Sequence, residues 1–475
     1  MNQIKSIFKN TGWMTISQGI TSICAFLWTI LIARYLGVYD YGIMSFAISF
    51  TWLFAILMDI GISVYTTREL ARDKNQLNKF VGNIVPLKSL LAIVLFLVIF
   101  SILYISKYDN LTIIVTLIFS IELIFMSFMG FFSGIFQAFE ELKYPSIGAI
   151  LNSIFLLIGI LLTIYFDLGV IFIAIAYTVA YAIYFVYLVI IYLSKFGMPK
   201  LTFDLSFLKE TIIKSIPFGL SNFFYSVYFS IDIVMLTSLV GNYPTGIYKS
   251  AYNIISVFAA FFPVYTATIF PVMSKYFVQS KDMVRVSYET SVKYLLIIIL
   301  PISAYVFLYA TPIIDLIYSN QYSLAGVPMQ ILIWTVAFLF VNGAGSSVLN
   351  SVNKELSVTK IYVVAAIVNV ILNSVLIPKY SFNGAAMATV LSEIVICVLV
   401  LYGISKTDFK PNWSLLKPVT KVIVSSLVMG IVLYFIGVGM WLAIPIGFVV
   451  FIVMLFITRT LDDTDKYIIK EIIKI

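Results

Sequence analysis

The sequence predicts an all-α integral membrane protein of about fourteen transmembrane helices, built as two pseudo-symmetric six-helix lobes with two further helices after them. Three observations carry that prediction. Hydrophobic residues make up 61% of the 475 and charged residues only 11%, whereas a soluble domain is roughly a quarter charged. So few charges cannot cover a water-facing surface, and lipid must solvate most of it. Apolar runs at or above the roughly 20 residues that cross a bilayer recur along the whole chain. Finally, one turn is written twice. Ala33 to Ala47 reads A-R-Y-L-G-V-Y-D-Y-G-I-M-S-F-A, and Ser238 to Ala251 reads S-L-V-G-N-Y-P-T-G-I-Y-K-S-A. At a shift of 204 residues Gly37 falls on Gly241, Gly42 on Gly246, Ile43 on Ile247 and Ala47 on Ala251. Each copy joins two apolar runs, and its paired glycines let the backbone reach φ > 0 and turn sharply. A duplicated membrane hairpin is the usual build of a transporter with two homologous halves.

The spans fall at roughly 11–36, 42–66, 81–106, 111–138, 144–166, 170–194, 211–238, 245–274, 286–310, 326–352, 357–378, 383–405, 418–437 and 439–458. The first run is too long for a signal-peptide core and is expected to stay attached as the first span. With both termini in the cytoplasm, all but Arg34, Lys107, Lys249 and Lys379 of the 30 basic residues lie on the inner side or at the adjoining span ends. The net charge of +8 therefore orients the chain in a cytoplasmic membrane and does not point to nucleic acid.

The repeat extends past the opening pair. F-D-L-G-V-I-F-I-A, with Gly169, precedes span six, and S-F-N-G-A-A-M-A, with Gly384, precedes span twelve. Asn152 in span five is matched by Asn369 in span eleven. The expected organisation is an N-terminal lobe over 1–200, a C-terminal lobe over 201–406 and a C-terminal helix pair with its tail over 407–475. Repeats of six spans keep one membrane orientation, so an axis along the membrane normal relates them, and a cleft between the lobes follows.

The absence of histidine removes Ser-His-Asp and Cys-His catalysis, imidazole metal sites and histidine pH sensing. Cys24 and Cys397 sit in apolar runs far apart in sequence and read as small buried hydrophobes. The longest outer loop, Thr311 to Ala325, carries one acid, Asp315. That leaves no room for the catalytic loop of a membrane glycosyltransferase or polymerase, so no enzyme, catalytic residue, metal or cofactor is expected.

The stretches Arg34 to Gly42 (R-Y-L-G-V-Y-D-Y-G), Asp59 to Arg72 (D-I-G-I-S-V-Y-T-T-R-E-L-A-R), Ser215 to Ser221 (S-I-P-F-G-L-S), Ile231 to Leu236 (I-D-I-V-M-L) and Gly246 to Tyr252 (G-I-Y-K-S-A-Y) resemble the polysaccharide biosynthesis (polysaccharide transporter) family. That family lies within the multidrug/oligosaccharidyl-lipid/polysaccharide flippase superfamily. The resemblance runs over nearly the whole chain. It implies a MATE-like fold and a flippase that moves a polyprenyl-diphosphate-linked oligosaccharide from the inner to the outer leaflet by alternating access. The implied partners are membrane lipids and the glycosyltransferases or polymerase of one pathway. Multidrug exporters of the superfamily usually have twelve spans and many carry an acid in span one; here spans one and five have none. Peptidoglycan-precursor flippases crowd arginines into the first two spans, where this chain has Arg34 and Arg68. A cation-coupled multidrug exporter is the alternative, and a membrane polysaccharide polymerase or ligase a more distant one.

An ionisable group near the bilayer centre costs about 2.5–3.5 kcal/mol and so faces protein or water. Asp59, Glu122, Asp232 and Glu393 are such groups, with Arg34, Lys88 and Lys249 nearer the span ends. On span seven Ser221, Tyr225, Tyr228 and Asp232 follow at spacings of 4, 3 and 4 and share one stripe. Lys249, Asn253, Ser256 and Ala260 form a comparable stripe on span eight. One reading is a wet wall on which Arg34 and Lys249 attract a diphosphate while tyrosines contact sugars. The other is an Asp232–Lys249 pair that only pins the hairpin. Expected substrate contacts are Arg34, Asp59, Tyr225, Tyr228, Asp232, Lys249 and Asn253. Asp59 shares an expected stripe with Trp52, Ser63 and Thr66, which capping or inter-helix hydrogen bonding explains as well as substrate contact does. Arg68 and Arg72 are expected to meet lipid phosphates. Glu122 and Glu393, at mid-depth, either bind a coupling H+ or Na+ or hydrogen-bond a neighbouring helix while protonated. Pro217, Pro263 and Pro271 mark kinks, either hinges or static bends.

Overall fold

In hydrocarbon every backbone N–H and C=O needs an internal partner, which leaves helices and closed barrels as the only spanning structures. This chain takes helices. The computed structural model describes residues 2–279, 281–352, 354–409 and 415–461, with side chains except at 2–8, 221, 222, 225, 262–264, 267, 268, 270, 271, 278, 279 and 281. In order the helices are α1 (Asn2–Leu53), α2 (Ala55–Asp59), α3 (Ile62–Arg72), α4 (Leu77–Ile105), α5 (Asn110–Ala138), α6 (Lys143–Tyr165), α7 (Gly169–Phe196), α8 (Leu205–Val240), α9 (Asn242–Ala259), α10 (Phe261–Gln279), α11 (Lys281–Tyr318), α12 (Gly326–Ser351), α13 (Glu355–Ser405), α14 (Leu416–Ile436) and α15 (Met440–Ile457). Among the described residues, ten helices are long and apolar enough by themselves to cross a membrane. Two of these, α1 and α13, each hold two passes, divided at Gly37 and at Ser381. With α8 and the α9–α10 pair, this accommodates the fourteen expected spans.

The chain packs as two compact units, residues 1–246 and 247–475. This partition reflects packing, whereas the lobes of the sequence reading reflect the repeat, and the two need not coincide. In the first unit α1, α5, α6 and α7 pack side by side, α4 lies on α5, and α8 lies on α1 and α3. One apolar cluster joins Phe46, Phe50, Met58, Leu95, Ile99 and Leu123; another joins Tyr65, Phe80, Phe131, Phe136 and Tyr192. Lipid is as apolar as these side chains, so close packing rather than exclusion from water holds them together. The segment between α7 and α8 is strapped to the start of α4. Thr202 N–H donates to the Gly82 carbonyl (3.0 Å), Asp204 N–H donates to Asn83 Oδ1 (2.7 Å), and the Asp204 carboxylate caps α8 at Ser206 N (2.9 Å).

In the second unit α12 packs on α10, α11 and α13. Its run Asn342 to Val348 is buried throughout, and its small residues let neighbours approach closely. A Cβ at Gly345 would overlap Val400 of α13. The α14–α15 pair rests on α11, where the hydroxyls of Tyr305 and Tyr309 donate to the carbonyls of Met440 and Val438, both at 2.9 Å.

Four local expectations are corrected. Span two, expected as one helix over 42–66, runs on to Arg72 in pieces, interrupted at Phe54 and again at Ile60–Gly61. The expected stripe of Trp52, Asp59, Ser63 and Thr66 is therefore cut, because left-handed residues at 60 and 61 destroy helical register. The outer loop expected from Thr311 to Ala325 is mostly helix: α11 reaches Tyr318 and a 3-10 segment fills Asn320–Ala325. Of the expected proline kinks, Pro217 lies inside an unbroken α8, while span eight breaks at Ala260, three residues ahead of Pro263. Proline has no N–H for the carbonyl four residues earlier, which accounts for the second case.

Candidate functional site

The twin turns share one backbone conformation. Gly37 has φ 70, ψ 176 and Gly241 has φ 96, with ψ −177, a region open essentially to glycine alone. The turns also dock on each other reciprocally. A Cβ at Gly42 would overlap the carbonyl of Asn242, and a Cβ at Gly246 would overlap the carbonyl of Val38. Since 38 and 242 stand at the same 204-residue shift as 42 and 246, the two contacts are copies of each other. Asn242 further donates from Nδ2 to Thr112 Oγ1 at 3.3 Å, and Thr237 and Thr245 share a hydrogen bond of 2.8 Å across the second turn.

Below the first turn lies the break in span two. Ile60 (φ 47) and Gly61 (φ 82) are both left-handed, which is strained for a β-branched residue. Asp59, half-buried, accepts from the N–H of Ser63 at 2.8 Å and so caps α3. Lys88 of α4 is fully buried and sits 3.6 Å from Asp59 Oδ1. Its ammonium donates to the Met58 carbonyl at 3.2 Å and to Ser127 Oγ at 2.7 Å. The break abuts α8 with no side chain between: a Cβ at Gly61 would overlap Ser215 and Gly219 backbone, and one at Gly219 would overlap Ile60 backbone. Arg68, expected at lipid phosphates, pairs with Glu69 (2.9 Å) and lies over the rings of Tyr65 and Phe218 at 5.2 and 5.4 Å. Arg72 also reaches Glu69, at 3.3 Å.

The other sequence-predicted residues are placed as follows. On α8 Tyr228 and Asp232 are both buried; the side chains of Ser221 and Tyr225 lie outside the described residues. On α9 Lys249 is half-buried with its ammonium 5.5 Å from the centre of the Tyr252 ring. Asn253 hydrogen-bonds the Tyr318 hydroxyl. Arg34 is exposed beside the first turn. Glu122 is buried on α5, one turn from Phe119, whose ring lies 5.6 Å from Tyr177 of α7. Glu393 is buried on α13 and accepts from Asn342 Nδ2 of α12 at 2.7 Å, an inter-helix bond that leaves Asn342 Oδ1 buried without a partner.

That pair yields a prediction. Replacing Asn342 by leucine should destabilise the protein by about 1–3 kcal/mol, since it takes a hydrogen-bond donor from a buried carboxyl. Glu393→Gln keeps an acceptor for Asn342 and should cost less than about 1 kcal/mol. Thermal unfolding of the two purified variants checks both.

Sequence reasoning set Lys88 among the membrane charges near a span end without giving it a role, and counted Lys293 only with the inner-side lysines. Their exposures are 0% and 7%, so neither serves as a surface charge. A signal was available: they stand 205 residues apart, one residue off the repeat shift.

A many-pass helical membrane protein, duplicated about a glycine turn and carrying charges between its helices, has the make-up of a transporter of the multidrug/oligosaccharidyl-lipid/polysaccharide superfamily. The polysaccharide biosynthesis protein family profile matches residues 7–277, more than half of the chain, and the chain belongs to that family. The MatE profile matches residues 217–375. Among relatives, an uncharacterized membrane protein of Methanocaldococcus jannaschii is 26% identical over 444 residues, covering 86% of this chain and 85% of that one. The capsular polysaccharide biosynthesis protein CapF of Staphylococcus aureus is 24% identical over 406 residues, covering 83% and 98%. Among solved structures, a lipid II flippase MurJ in an inward closed conformation superposes with a TM-score of 0.76 at 16% identity, covering 94% of this chain and 98% of that one. At that identity the likeness concerns the fold.

Proposed function

We propose that this protein is a flippase that carries a polyprenyl-diphosphate-linked oligosaccharide, a polysaccharide repeat unit, across the cytoplasmic membrane by alternating access. The observation that carries the reading is the reciprocal docking of the two glycine turns, which supports a transporter of two repeats, in a chain of the polysaccharide biosynthesis family. Both termini lie in the cytoplasm, where most lysines and arginines are gathered, and the repeats correspond to lobes over 1–200 and 201–406. Arg34, Asp59, Tyr225, Tyr228, Asp232, Lys249 and Asn253 contact the headgroup, with the two cations on the diphosphate. Glu122 and Glu393 bind the coupling ion, H+ or Na+. No bond of the substrate is made or broken, and the glycosyltransferases and polymerase of the pathway act before and after.

The test is translocation by the purified protein in liposomes loaded with a fluorescent polyprenyl-diphosphate oligosaccharide. The expected result is time-dependent appearance of chemically unchanged lipid in the opposite leaflet. A lengthened or transferred glycan would make the protein a polymerase or ligase and overturn the proposal. The MatE match over 217–375 favours a second reading, a cation-coupled drug exporter. Ion-driven efflux of cationic dyes without any movement of the glycolipid would establish that reading in its place.

A further inference from the structure

The buried lysine of α4 is unexplained by orientation in the membrane, because no part of its side chain reaches the surface. It is explained by what it touches. A helix end leaves carbonyls without partners, and at the broken end of α2 Met58 is fully buried, so its carbonyl must find donors inside the protein. Lys88 supplies a donor to Met58 there, and Ser127 Oγ supplies a second at 3.3 Å. One residue further, Asp59 caps the start of α3. A cation at the carbonyl end of one half-helix and an anion at the amide end of the next are the favourable signs for the two helix dipoles. Between them Ile60 is held left-handed, a conformation that persists only where its surroundings impose it. Ile60 and Gly61 form the backbone-to-backbone crossing with α8 at Gly219.

We infer that Lys88 is a positioning residue which, with Asp59, latches the break in span two and so controls how α3 leaves and rejoins α8 at the Gly61–Gly219 crossing. For its consequence in transport the inference rests on the flippase reading; its test does not. Without the latch, α2 and α3 relax toward a continuous helix, Ile60 leaves the left-handed region, and α3 no longer sits on α8.

The experiment uses the full chain in membranes, with Cys24 and Cys397 replaced by alanine and a reporter introduced as Ser215→Cys. Ser215 is fully buried and its carbonyl lies against Gly61 at the crossing, so a membrane-impermeant maleimide reaches a thiol there only when the packing around the crossing opens. In Lys88→Met the labelling rate should rise about tenfold, as befits the loss of a charge-assisted hydrogen bond, while Lys88→Arg should stay near the parent. A rise of less than about threefold in Lys88→Met, whatever happens to its Tm, would make Lys88 an ordinary core cation and overturn the inference. Should Lys88→Met fail to accumulate, Ser127→Ala removes one donor from Met58 and one acceptor from Lys88, and the same threshold of about threefold decides. If the parent moves no glycolipid, the flippase reading falls while the labelling comparison still decides the latch.

Discussion

Replacing Gly246 by leucine will leave little folded protein in the membrane, and Gly42→Leu will do the same. At both positions a side chain would have to occupy the space of a main-chain carbonyl, that of Val38 or of Asn242. A carbonyl in a helix cannot rotate aside as a side-chain tip can, so the usual overpacking cost of about 1–3 kcal/mol is a lower bound here. The matched controls are Gly12→Leu and Gly19→Leu on the first pass of α1, where a Cβ would meet nothing within 4 Å. Those should be neutral to within about 0.5 kcal/mol. Yield and Tm of the four detergent-solubilised variants, by fluorescence-detected size exclusion, check the contrast. Wild-type stability in Gly246→Leu would show that the turns do not dock as described.

The second large effect concerns transport rather than folding. Arg34→Ala with Lys249→Ala should cut glycolipid translocation about a hundredfold while expression and Tm stay near wild type. Arg34 is exposed and Lys249 half-buried, with its ammonium over the Tyr252 ring, so truncation removes little packing. A hydrogen bond to a charged phosphate is worth about 1.5–3 kcal/mol, so each single variant should lose roughly tenfold or more and the double variant about a hundredfold. Unchanged translocation in the double variant would remove both residues from the headgroup site.

The passes were legible in the sequence because a bilayer imposes its thickness on every apolar run. The twin turns were legible because a glycine-only conformation leaves two glycines five residues apart in each copy. The break in span two was not. Ile60 is a strand- and helix-compatible residue in an apolar run, and what holds it left-handed comes from Lys88 on another helix, more than a bilayer-length of chain away. The prolines gave a mixed signal for a related reason: Pro217 is absorbed by a packed α8, whereas Pro263 follows a true interruption at Ala260. Counting lysines by loop assigned Lys88 and Lys293 to the inner ends of their spans, but depth along a helix says nothing about which way its face turns. For the same reason the stripe through Trp52 and Asp59 failed, since a helical wheel presumes an unbroken helix. Glu393 was recognised as an interior acid, but its partner Asn342 was invisible, because the pairing of α12 with α13 is set by small residues that carry no chemical mark.

The grip of Tyr305 and Tyr309 on the carbonyls of Met440 and Val438 bears on how such a scaffold diversifies. Both phenols hold peptide oxygens, which every amino acid presents alike, so the terminal pair of helices can drift freely in side chains without losing its mooring. An accessory fastened in this way can be rewritten, exchanged or discarded by descent while the twelve passes before it keep their own internal bonding.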